Sequence, residues 1–228
     1  MKILITSGGT SEAIDSVRSI TNHASGRLGA LIAERFLAKG HEVTLVTTTR
    51  AYKPQGHDHL HIIVVTDVAS LQAQLEPLVK THDVLIHSMA VSDYSPIYMT
   101  DLEDVKKHRQ LDELLHHSNS EAKISSSADY QVLFLKRTPK IISLVKSWNP
   151  KILLVGFKLL VNVPQEELIT VARHSLTKNH ADYIVANDLR DITDDQHLAY
   201  LVDQSAIYPA KTKHELANLI YQKVITHD

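Results

Sequence analysis

The chain has 228 residues, 43% hydrophobic and 22% charged, and its 24 Lys plus Arg against 26 Asp plus Glu leave a formal charge of −2 at pH 7. That near-neutral balance, without a long basic block, argues against nucleic acid as the main partner, and no run approaches the ~20 apolar residues of a membrane-spanning helix. Cysteine is absent, which excludes a disulfide framework, a thiolate metal site, an iron–sulfur cluster and a cysteine nucleophile.

At roughly 150 residues per domain, the length allows one large domain or two small ones. The opening run Met1-Lys2-Ile3-Leu4-Ile5-Thr6 is too short and too soon polar for a signal peptide, so a cytoplasmic address is expected. Residues 2–6 read as a first strand, and further β-branched runs follow at 42–46, 61–65, 83–87, 152–157 and 183–186. Several are apolar throughout, as expected of strands covered on both faces. Helix-period segments alternate with them. Leu28, Leu31, Ile32, Leu37 and Ala38 share a face before Gly40, and further helices are read at 69–80, 165–178 and 213–225. This alternation predicts an α/β fold, a Rossmann-like and mostly parallel sheet with helices on both faces. Residues 95–123 break the rhythm: polar, rich in Asp, Lys and His, and without a convincing strand, they read as a mobile loop or partly helical flap inserted after the fourth strand. Residues 131–136 alternate polar and apolar side chains, a half-exposed strand that pairs either with its own copy in a partner subunit or within a hairpin arm.

The first strand runs into Ser7-Gly8-Gly9-Thr10, but a dinucleotide fingerprint requires its glycines in a tight turn that opens a helix directly, and here some 20 residues intervene. Strand two ends in Thr47-Thr48-Thr49-Arg50, without a carboxylate for a ribose, and no Tyr-x-x-x-Lys pair exists. An NAD(P) oxidoreductase or epimerase is therefore the weaker reading. Ser25, Gly26 and Gly29 stand where the helix begins, and two readings remain open. Free first-turn amides form a phosphate site there, or Ser25 is an N-cap and Gly29 a close-packing residue. Arg18 and Asn22, in the loop above the strand ends, offer a guanidinium and an amide to an anionic substrate. His57, His59 and His61 have a spacing that suits zinc, or belong to a solvated loop.

The blocks Ile5-Thr6-Ser7-Gly8-Gly9-Thr10, Ile14-Asp15-Ser16-Val17-Arg18-Ser19-Ile20-Thr21-Asn22-His23-Ala24-Ser25-Gly26-Arg27-Leu28-Gly29, Ala90-Val91-Ser92-Asp93-Tyr94, Lys123-Ile124, Val155-Gly156-Phe157 and Val185-Ala186-Asn187-Asp188 occur in that order. They resemble phosphopantothenate-cysteine ligase in its free-standing bacterial form, and the resemblance covers nearly the whole chain. It implies a single ligase domain over residues 1–228 with the flap at about 95–123 and a possible dimerisation arm at about 124–137. It also implies a reaction of coenzyme A biosynthesis: 4′-phosphopantothenate is activated by CTP or ATP as an acyl nucleotidylate, which cysteine then converts to the amide. Magnesium, carried mainly by the nucleotide phosphates, and a homodimer belong to the same expectation.

By this resemblance Asn22 and Lys123 are catalytic, with Arg18, Asn22, Ala90 and Asp93 on the substrate. Gly8, Gly9, Ser25, Gly26, Gly29, Asp93, Lys123, Pro139, Lys140, Ile141, Phe157, Lys178 and Asn187 would meet the nucleotide, and no metal ligand is assigned. The chain departs from the family pattern at three places. Lys123-Ile124-Ser125-Ser126 lacks further flap lysines, Lys158-Leu159-Leu160 replaces small and acidic residues, and His174 occupies an expected lysine position. A non-catalytic nucleotide-binding sensor on the same scaffold is the alternative from another class.

Overall fold

A computed structural model describes residues 1–193 and 196–227. The chain runs through β1 (Lys2–Ser7), a small hairpin of β2 (Ser11–Ala13) and β3 (Ser19–Thr21), α1 (Arg27–Leu37), β4 (Glu42–Thr47), β5 (Leu60–Val64), α2 (Val68–Val79) and β6 (Val84–His87). Next come β7 (Tyr94–Asp101), α3 (Leu102–Lys107), a 3-10 turn over Leu111–His116, β8 (Gln131–Arg137), α4 (Ile141–Trp148), β9 (Leu153–Leu160) and α5 (Gln165–Asn179). β10 (Tyr183–Ile192), β11 (His197–Val202), β12 (Ile207–Ala210) and α6 (Lys213–Ile225) follow.

Eight strands form one sheet in the order β12-β11-β10-β9-β6-β1-β4-β5. The six from β10 to β5 are parallel, and they are the six runs read from the sequence. Their apolar continuity has the expected cause. Ile3, Ile5, Val43, Leu45 and Val185 pack with Ile32 and Phe36 of α1 and Ile220 of α6, whereas Leu4, Val46, Leu85 and Ile184 pack with Leu71 of α2, Val145 of α4 and Leu168 of α5. Successive residues of a strand thus enter two separate cores. Two antiparallel strands, β11 and β12, extend the sheet beyond β10 and were absent from the sequence reading. β12 carries Pro209, which is tolerated because the strand lies on the edge.

From β1 the chain builds outward to β4 and β5, then returns to place β6 on the other side of β1. The carboxyl ends of β1 and β6 therefore flank a topological switch point, the position at which open parallel sheets bind ligands.

The flap requires a correction. It opens with a strand: β7 pairs antiparallel with β8, with a register shift between Pro96 and Tyr98. Tyr98 stacks on Phe134 across the pair, ring centroids 6.1 Å apart. Pro96 and the polar residues around it obscured the strand pattern, and its partner begins some 30 residues later, so no local hairpin signal exists. Of the two pairings open to residues 131–136, the hairpin within the chain is the one formed.

Candidate functional site

A cavity of about 480 Å³ lies over the carboxyl ends of the central strands. Its wall is assembled from four places: Gly8 after β1, the turn from His23 to Gly29 entering α1, the segment from His87 to Asp93 after β6, and Pro139 to Ile142 entering α4. Phe157 and Lys158 of β9, Asn187 of β10, His197 of β11 and Lys213 of α6 complete it. The loops are tied together by backbone. Thr10 N donates to Ala90 O at 3.0 Å and Ala90 N to Gly8 O at 2.9 Å, so the strand-one loop and the strand-six loop form a short bridge.

The α1 entry resolves the two readings of its glycines. Gly26, not Ser25, is the N-cap, with φ +77° and no side-chain cap. Ser25 Oγ accepts only a long bond, 3.4 Å, from Arg27 N. A methyl on Gly29 would lie 2.4 Å from Ser7 Oγ, so this glycine exists for close contact between helix and β1. Close packing thus explains Gly29. It also brings the helix's first-turn amides, which have no intrahelical acceptors, to the cavity wall.

Among the described residues the charged side chains of the wall are Arg27, Lys140, Lys158 and Lys213 against Asp93 alone. Four cations facing one carboxylate, together with a helix N-terminus, make a site for a polyanion. Lys158 is one of the residues that departs from the family pattern. Lys140 is ion-paired with Asp93, both more than half exposed, and Thr138 Oγ1 donates to Ser92 O, so the α4 entry is fastened to the strand-six loop at the cavity mouth.

The profile of the DNA/pantothenate metabolism flavoprotein C-terminal domain family matches residues 1–119 and 113–227. The chain belongs to this family. It is 32% identical over 226 residues to the coenzyme A biosynthesis bifunctional protein CoaBC of Thermococcus kodakarensis, covering 98% of this chain and 50% of that protein. The chain spans about half the length of that relative. The crystal structure of the DNA/pantothenate metabolism flavoprotein from Streptococcus pneumoniae matches the whole of both chains at 54% identity with a TM-score of 0.96. That of the C-terminal domain of CoaBC matches 98% of this chain and 93% of its own at 26% identity, TM-score 0.73.

In this chain Gly8, Ser25, Gly26, Gly29, Ala90, Asp93, Pro139, Lys140, Ile141, Phe157 and Asn187 all border the cavity. Gly9 and Asn22 stand behind its wall. A methyl on Gly9 would meet Asn22 O at 2.3 Å, so Gly9 is a packing residue, while Asn22 Nδ2 donates to Ala90 O at 3.2 Å and Ser92 Oγ at 3.3 Å.

Three placements differ from expectation. Arg18 is not free to grip a substrate. Its guanidinium donates to Asp15 at 2.6 and 3.0 Å and to Ile124 O at 2.9 Å, and the Asp15 carboxylate, held well below its usual pKa chiefly by Arg18, also accepts Ile124 N. Arg18 thereby clasps the flap. Lys123 sits exposed in the bend beside this clasp, between Ala122, whose carbonyl accepts Ser16 N, and buried Ile124, and is not part of the wall. Lys178 lies at the opposite end of the sheet. The 15 residues of α5 carry it about 22 Å back from the strand ends, beside His180 and Asp182, which precede β10.

Two wall residues escaped the sequence reading. His87 ends β6, its Nδ1 2.8 Å from Thr6 Oγ1, and burial holds its pKa down to about 4, so the ring is neutral at pH 7. Its place as the last residue of an apolar strand was the available signal. His197 begins a strand the sequence did not reveal. Of the histidine trio, His57 and His59 stand in the exposed segment before β5, where His57 Nδ1 accepts His59 N at 3.0 Å, whereas His61 is exposed on β5 itself; among the described residues no group of three His, Cys, Asp or Glu is placed to hold a metal. No helix among those residues is long and apolar enough to cross a membrane.

Proposed function

We propose that this chain is a cytoplasmic phosphopantothenate-cysteine ligase that forms 4′-phosphopantothenoylcysteine through an acyl nucleotidylate, using CTP in preference to ATP. The observation that carries this reading is the polyanion cavity at the switch point, four cations and the first-turn amides of α1 against one carboxylate. Membership of the family, and relatives named for coenzyme A biosynthesis, support the choice of reaction.

In this reading the pantothenoyl carboxylate lies at Ala90, beside Asn22. A carboxylate oxygen attacks the α-phosphorus and pyrophosphate leaves; the cysteine amine then attacks the acyl carbon and CMP leaves with the mixed-anhydride oxygen. The phosphates rest on the turn from Ser25 to Gly29 and on Lys158 or Lys213, with the nucleoside against Phe157, Asn187 and the backbone from Pro139 to Ile141. No general base is required for the first step, because the nucleophile is already ionised; alignment and charge neutralisation carry it. Magnesium fits as a phosphate-borne ion, since the wall offers it only the Asp93 carboxylate, and it would neutralise charge on the triphosphate. Lys123 adds charge at the α-phosphate after the flap moves. We also propose a homodimer, with Tyr130 and Leu135 of the arm region, 71% and 41% exposed, as contact residues.

The test is release of CMP and pyrophosphate from 4′-phosphopantothenate, cysteine, magnesium and CTP, with ATP in parallel. Turnover with CTP exceeding that with ATP is the expected result. No pyrophosphate from either nucleotide refutes the ligase, and nucleotide binding without turnover identifies the sensor instead.

A further inference from the structure

His197 is 5% exposed, and neither ring nitrogen has a hydrogen-bond partner among the described residues. A buried polar side chain in that condition is uncommon in a native fold and calls for a missing partner. Its surroundings supply the place for one. The residue opens β11, pairs across the hairpin with Ile192 of β10, and is anchored by its backbone N donating to Lys211 O at 2.8 Å. The residue borders both the main cavity and a second one, of about 390 Å³, between the first turns of α1 and α6. Arg27 and Lys213 share that dividing wall, and Glu34 and His214 face the second cavity.

Burial, reinforced by the charge of Lys213, lowers the His197 pKa to about 4. The ring is therefore neutral at pH 7 and carries one N–H donor and one lone-pair acceptor, both buried and without a partner among the described residues. Phosphate oxygens only accept, and would leave the lone pair unmatched. A ribose hydroxyl or the edge of a nucleobase carries donor and acceptor together. Two strands separate β11 from β6, after which Ala90 stands, whereas Asn187 and Phe157 lie on β10 and β9 between them.

We propose that His197 reads the uncharged nucleoside half of the nucleotide, through its ribose hydroxyls or base edge, and takes no part in holding phosphate. This inference rests on the nucleotide-binding half of the ligase reading and names a selectivity residue within it.

The experiment measures binding by calorimetry for wild type, His197→Leu and His197→Asn, with CTP, 2′-deoxy-CTP, UTP and inorganic tripolyphosphate as probes. His197→Leu is expected to weaken CTP about tenfold, the scale of one or two lost hydrogen bonds, and to leave tripolyphosphate unchanged. Loss of the CTP over 2′-deoxy-CTP preference in that variant assigns the contact to the ribose, and loss of the CTP over UTP preference assigns it to the base. Asn keeps a donor and an acceptor, and is expected to recover most of the CTP affinity. Without ligand, His197→Leu should melt no lower than wild type, because the unpartnered imidazole is gone. Equal CTP affinity in wild type and His197→Leu, equal weakening of CTP and tripolyphosphate, or no recovery in His197→Asn overturns the inference alone. A wild type that binds CTP or ATP but never releases pyrophosphate overturns the ligase and leaves His197 standing as a nucleoside reader. One that binds neither nucleotide overturns both.

Discussion

Acidification should destabilise this protein through one residue that can be isolated. His87 is buried at the cavity floor, bonded to Thr6, with its pKa held down to about 4 by burial. An unfolded chain binds the His87 proton near pH 6.5, so between those values the unfolded state carries more protons and stability falls as pH falls. At about 1.4 kcal/mol per pH unit, the interval from 6.5 to about 4 is worth about 3 kcal/mol in full and about 2 kcal/mol by pH 5. The stabilisation is complete above pH 6.5 and is lost as the solution approaches pH 4. Urea denaturation of wild type and His87→Gln at pH 7 and pH 5 measures the difference, because the other groups, His41 and His82 among them, titrate in both proteins. Wild type should lose about 2 kcal/mol more than the variant, and its His87 ring protons should show no protonation in NMR spectra at pH 5. Equal losses, or a ring titrating near pH 6.5, would refute the assignment of a sealed, neutral imidazole.

Asp15→Asn should release the flap without harming the sheet. Amide exchange at residues 122–125 is expected to accelerate while β1 and β6 stay protected, and unchanged protection would mean that the clasp does not hold the segment. Asp188 is 2% exposed and accepts from the backbone N of Asn162, Val163 and Arg190, which fixes the turn between β9 and α5. Asp188→Ala leaves those amides without their acceptor and should cost about 2–3 kcal/mol in denaturant unfolding; a loss below about 0.5 kcal/mol would show water replacing the carboxylate at little cost.

The parallel half of the fold was legible because burial on both faces writes itself as unbroken apolar runs. β11 and β12 were not, since His197 and Pro209 interrupt short alternating segments. α4 was hidden for another reason: eight residues with no side-chain cap give periodicity little room. Site residues at strand ends, such as Ala90, Phe157 and Asn187, could be placed because sheet topology dictates where strand ends converge. Arg18 could not, because its partner Asp15 and the flap carbonyl compete with any substrate and nothing in the spacing reveals the winner. Lys178 was misplaced by following resemblance instead of helix direction, which alone carries the end of α5 away from the strand termini.

The clasp between Asp15, Arg18 and Ile124 joins segments 106 and 109 residues apart. Once Thr10 has bonded Ser92, the loop left to close is only about 40 residues long, a smaller entropic step than the sequence separation implies. Pairing of β1 with β6 therefore lowers the entropic cost of docking residues 122–124 on the hairpin of β2 and β3. Because β9, β10 and β11 complete the cavity wall later still in the chain, a nascent polypeptide carries the turn entering α1 long before it carries the rest of the pocket. The cavity draws its wall from both halves of the chain, so a ligand held there would protect the carboxyl-terminal strands against unfolding along with the amino-terminal ones.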